Sequence, residues 1–150
     1  MSDYLKTHWR QAICVLLGAI FVYAGSAKIE NPQAMADSIA AFGIIPIVLI
    51  NPVALGLPAF EIASGVLLII GWRRRIAALA ILLAVVAYTI AIGSALARGI
   101  TVDCGCFGFG PPTRARMWID FGRDVVILGA AAFSYCSLVR KTAVSTQPRN

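Results

Sequence analysis

The chain has 150 residues, 59% of them hydrophobic and only 13% charged, and its mean hydropathy is +0.82. Soluble domains carry roughly 25% charged residues, so this composition argues against one and for a single membrane domain of about four spans. The net charge of +6 raises nucleic acid as a partner. The 13 Lys and Arg lie in short turns and tails, however, with no basic stripe interleaved with aromatics, so none is expected.

Apolar runs wide enough for a bilayer predict spans at about 11–27, 52–72, 76–96 and 118–139. The expected fold is all-α: an integral membrane antiparallel four-helix bundle with a short interfacial helix in the first outer loop. The four-helix transmembrane domain takes residues 1–142, and 143–150 form a disordered tail. Residues 1–26 also fit a signal peptide, with Lys6 and Arg10, an apolar run and small Ala24 and Ser26. A retained first span is the form expected.

The connection 28–51 is too long for a plain turn and too apolar for a solvated loop. Asn31 and Pro32 make a helix start, Met35, Ile39 and Phe42 recur on one face, and Gly43 and Pro46 make a stop. This predicts a helix in the membrane surface, acting as a lid on the bundle or as one wall of a lipid or quinone site. Asn51 and Pro52 repeat the start signal for the second span.

Arg73, Arg74 and Arg75 in the turn between spans two and three share a side with Lys6, Arg10, Arg140, Lys141 and Arg149. The opposite side carries Lys28, Arg98, Arg114, Arg116 and Arg123, diluted by Glu30, Asp37, Asp103, Asp120 and Asp124. The positive-inside bias puts both termini in the cytoplasm of a bacterial inner membrane. Trp9, Trp72 and Trp118 fall at span ends, where an indole rests at headgroup level.

Glu61 lies mid-span, where a carboxylate needs a cation, a proton or a polar cavity. Arg116, Asp120, Arg123 and Asp124 recur at three- and four-residue spacing on one face of the last helix. Lys28 ends the first span. These positions predict a polar cleft of Lys28, Glu61, Arg123 and Asp124 beneath the last outer loop, a candidate quinone site. An ion-pair network that only fixes helix register is the alternative.

That outer loop holds Asp103-Cys104-Gly105-Cys106-Phe107-Gly108. Two cysteines around one glycine close a disulfide only under strain, and strain makes the bond easy to exchange. Cys104 and Cys106 are therefore the candidate catalytic pair of a thiol:disulfide oxidoreductase on the oxidising, periplasmic side. Two alternatives stay open: soft-metal handling or transport through the thiolates, and an accessory subunit of a membrane complex. No metal site is assigned, because a closed zinc site wants four ligands and the only histidine, His8, is expected on the other face. Cys14 and Cys136 fall at similar depth near the cytoplasmic face and read as helix-packing residues.

Residues 18–28 (GAIFVYAGSAK), 58–61 (PAFE), Arg98-Gly99 leading into DCGCFG, and Arg123-Asp124 together resemble the MauE/DoxX family of small membrane proteins. The resemblance implies four helices in the inner membrane and a redox-associated role carried by Cys104 and Cys106. For the MauE branch it implies work on the maturation of a periplasmic, disulfide-rich methylamine dehydrogenase beside a thioredoxin-like partner. Such a partner, or a disulfide-containing client, is the expected partner here besides membrane lipid. Asp124 departs from the pattern, standing where an asparagine often follows the arginine.

Overall fold

The computed structural model describes residues 2–103 and 113–145, with side chains from His8 to Val139 in that range. Among the described residues five helices follow in order: α1 (Ser2–Ile29), α2 (Pro32–Phe42), α3 (Ile47–Ile70), α4 (Arg74–Ala97) and α5 (Arg114–Ser145). No strand occurs among the described residues. His8–Ile29, Ile47–Ile70, Arg74–Ala97 and Arg114–Val139 are 22 to 26 residues long and apolar enough to cross a membrane. At about 1.5 Å per residue each exceeds the roughly 30 Å of a hydrocarbon core.

Local chemistry explains the short helix. The Asn31 side chain accepts from the Ala34 N–H at 3.2 Å, Pro32 opens the first turn, and Gly43 at φ 62° closes the last. Met35, Ala36 and Ile39 are buried against Ala54, with Val53 and Leu57 of α3 alongside. Phe42 joins a different cluster, with Ile92, Ala95 and Met117.

The start of α3 corrects one expectation. The helix begins at Ile47, behind Pro46 in an extended conformation, and takes Asn51 and Pro52 into its body. The apolar run 47–50 favours helix in lipid, where unpaired backbone is costly. Pro52 in the second turn deprives only the Val48 carbonyl of a donor. At the far end α5 continues to Ser145, past the expected domain boundary at 142.

α1 and α3 pack backbone to backbone. A Cβ on Gly18 would lie 2.7 Å from the Gly65 carbonyl oxygen, and one on Gly25 2.8 Å from the Pro58 oxygen. Gly18 meeting Gly65 and Gly25 meeting Pro58 also shows that the helices run antiparallel. Small residues permit this approach where apolar burial gives little drive for helices to associate in lipid.

The main core gathers Cys14, Leu17, Phe21, Leu68, Ile81, Val85 and Ala131 from all four long helices. Leu16, Ile70, Leu83, Ile90 and Val126 instead face outward, as spans bathed in lipid require. Trp9, Trp72 and Trp118 are all exposed near helix ends.

Candidate functional site

α1 ends where α3 reaches its middle turns, and the contact of Gly25 with Pro58 draws the two backbones together. One turn further along α1, Lys28 turns inward and meets Glu61. Its Nζ lies 2.6 and 2.8 Å from the two carboxylate oxygens. Both side chains are 1% exposed. Tyr88 of α4 completes the group: its hydroxyl donates to Glu61 Oε1, and the Lys28 ammonium sits 4.6 Å from its ring centroid. The lysine therefore has a carboxylate and an aromatic face as partners, which is how a cation is tolerated at such burial.

α5 contributes the remaining charges. Arg123 Nη1 lies 2.9 Å from Asp120 Oδ1, and Nη2 lies 3.4 Å from Asp124 Oδ1. Asp124 is 5% exposed, and its Oδ2 has no hydrogen-bond partner among the described residues. Lys28, Glu61, Tyr88 and Asp124 line a common cavity of about 30 Å³, room for a water molecule. Thus Lys28, Glu61 and Asp124 meet at one cavity, and Arg123 reaches it through Asp124.

A second, larger space adjoins this one. Between α2, α3 and α4 an apolar cleft of about 460 Å³ is walled by Met35, Ile39, Phe42, Leu57, Tyr88 and Ala91, among others. Tyr88 lines both spaces. Sequence reasoning missed Tyr88. The available signal was a tyrosine deep in an apolar run, whose hydroxyl must find a partner.

The end of the bundle that carries α2 is tied together by two contacts. Arg98 Nη2 donates to the Phe42 carbonyl at 2.5 Å, linking the ends of α4 and α2. The Val102 N–H meets Met117 Sδ at 3.3 Å, fixing the chain beside the first turn of α5. Cys104 and Cys106 lie outside the described residues, between Asp103 and Thr113. Of the other cysteines, Cys14 is buried and Cys136 exposed. The packing role expected of both holds for Cys14 alone, because α5 turns Cys136 away from the core. Among the described residues no group of three or more His, Cys, Asp or Glu is placed to hold a metal ion.

The family model described as methylamine utilisation protein MauE matches residues 6–137. No curated protein and no solved structure gives a match. The matched stretch takes in the first three apolar spans whole and the fourth as far as Ser137, with Lys28, Glu61, Tyr88 and Asp124 among its residues. The chain therefore belongs to the MauE family and is a multi-pass membrane protein.

Proposed function

We propose that this protein is an inner-membrane thiol:disulfide redox protein whose Cys104 and Cys106 exchange a disulfide with a thioredoxin-like partner or with a client. The reading is carried by one observation, a Cys-Gly-Cys pair within a MauE-family chain. Family membership supports a role in the maturation of other proteins, and close cysteine spacing supports exchange over a structural clamp. Kinship with DoxX proteins belongs to the same reading. The excess of basic residues around Arg73, Arg74 and Arg75 and near the termini supports cytoplasmic termini and a periplasmic cysteine loop. Residues 1–142 act as one transmembrane domain, with 143–150 as a cytoplasmic tail whose first three residues extend α5.

In the oxidising direction, a partner thiolate attacks one sulfur of the Cys104–Cys106 disulfide. The partner's second thiolate resolves the mixed disulfide, leaving the partner oxidised and both cysteines as thiols. A membrane quinone then takes two electrons and two protons from the thiols and becomes hydroquinone, as the S–S bond re-forms. The reducing direction runs the same steps backwards.

Trapping tests the exchange directly. Cys104→Ser and Cys106→Ser each leave one thiol unable to resolve a mixed disulfide. One of them is expected to accumulate a reducible adduct with a thioredoxin-fold protein or its client in membranes. Stoichiometric Cu(I) binding lost in Cys104→Ser, without any adduct, would point to soft-metal handling. Co-purification with large partners that survives loss of both cysteines would point to an accessory subunit.

A further inference from the structure

The apolar cleft between α2, α3 and α4 is not used by any step above. Its volume of about 460 Å³ falls within the roughly 300–1,000 Å³ of small-molecule sites. Among the described residues no charged side chain lines it, and Ser38 and Tyr88 bring the hydroxyls. Ile44 and Ile90 on its wall are 54% and 65% exposed, so the cleft opens on the lipid-facing surface. The nearby Arg98 guanidinium is turned to the Phe42 and Ser94 carbonyls.

These features select the occupant. A phospholipid headgroup brings formal charges that the lining does not answer, and burying them unpaired is costly. The Tyr88 O–H is already given to Glu61, so a bare acyl chain would leave unused only the acceptor capacity of the phenol oxygen. A neutral, lipid-soluble ring bearing oxygen satisfies both ends of the cleft. We infer that the cleft binds the ring of a membrane quinone, with Tyr88 as its hydrogen-bonding wall. The choice of a quinone among neutral ring lipids rests on the redox role proposed above.

Tyr88 then has two faces. Its hydroxyl donates to Glu61, which holds Lys28, and a phenol oxygen can also accept from a hydroquinone O–H. The hydrogen-bonded series Lys28, Glu61, Tyr88 runs from the small cavity to the cleft, a route for one of the two protons that accompany the electron pair. The ring itself sits outside the small cavity, whose volume of about 30 Å³ is far below that of a small-molecule site.

The test is photolabelling of full-length protein in nanodiscs with an azido-benzoquinone carrying a short alkyl tail, mapped by peptide mass spectrometry. Saturable labelling of α2 and α4, displaced by excess decyl-benzoquinone, is expected. Ala87→Trp and Ala91→Leu, which fill the cleft without touching Lys28 or Glu61, should each weaken labelling about tenfold. Tyr88→Phe should leave benzoquinone labelling within about twofold and weaken its displacement by decyl-hydroquinone about three- to tenfold, since only the hydroquinone has an O–H to give the phenol oxygen. The double variant Cys104→Ser with Cys106→Ser should label as the parent does. Labelling that is absent, does not saturate, or is unchanged by both cleft-filling variants overturns the assignment, as does displacement by phospholipid but not by decyl-benzoquinone. If the cysteines prove redox-inert while cleft-dependent labelling persists, the cleft assignment stands and the redox role falls; a pair that titrates beside cleft-independent labelling means the reverse.

Discussion

Lys28 Nζ and the Glu61 carboxylate meet at 2.6 and 2.8 Å with both side chains 1% exposed, joining the end of α1 to the middle of α3. Taking both charges out of water is expensive, and the pair persists because each charge has the other. Removing one partner strands the other charge. Glu61→Leu or Lys28→Met alone should cost about 3–5 kcal/mol, whereas the double variant should recover most of that loss. Unfolding in detergent, followed as a double-mutant cycle, checks this; additive losses would mean the two groups are uncoupled.

Tyr88 contributes through two separable parts. Tyr88→Phe keeps the ring near Lys28 and removes only the hydroxyl that donates to Glu61. A hydrogen bond to a charged group contributes about 1.5–3 kcal/mol, and that is the expected loss. Tyr88→Leu removes the ring as well and should cost a further ~0.5–2 kcal/mol. Equal losses for the two variants would show that the ring contributes nothing to holding Lys28.

The glycine contact between α1 and α3 makes a sharper steric prediction. Alanine at Gly65 would place its methyl 2.7 Å from the Gly18 oxygen, whereas a Cβ on Gly56 would meet nothing among the described residues within 4 Å. Gly65→Ala should therefore destabilise by about 1–3 kcal/mol through overpacking. Gly56→Ala should be neutral or stabilising by up to about 1 kcal/mol, as alanine favours the helix. Thermal unfolding of the two variants side by side decides the matter, and similar midpoints would contradict close backbone packing.

Asp124 leads to the opposite expectation for a buried acid. Its Oδ2 has no partner among the described residues, its contact with Arg123 is long at 3.4 Å, and Arg123 keeps Asp120 at 2.9 Å. Asp124→Asn should leave stability within about 1 kcal/mol of the parent, or raise it, because an incompletely paired buried carboxylate is removed. A loss above ~2 kcal/mol in detergent unfolding would show that the carboxylate is structurally required.

Features set by local chemistry are legible in the amino-acid sequence itself. The Asn31-Pro32 start and Gly43 stop of α2 need only neighbouring residues to act. Glu61 stands out because a carboxylate in an apolar run demands a partner. Tyr88, deep in its span, signals only that its hydroxyl needs some partner, and the rotation of α4 against α3 is what makes that partner Glu61. The same gap separates Cys14 from Cys136, matched in depth by sequence yet one buried and the other exposed. Asn51-Pro52 misleads because it reproduces a helix start inside a helix that begins earlier, at Ile47.

The central claim is that Cys104 and Cys106 exchange a disulfide, and a redox titration of that pair tests it most directly. Full-length protein carrying Cys14→Ala and Cys136→Ala would be equilibrated in thiol buffers, and the pair scored by a maleimide mass shift. A reversible two-electron transition roughly between −120 and −250 mV, the range of exchange catalysts, is the predicted result. A pair that stays reduced throughout, or a bond that resists reduction until below about −300 mV, as structural disulfides do, would contradict it.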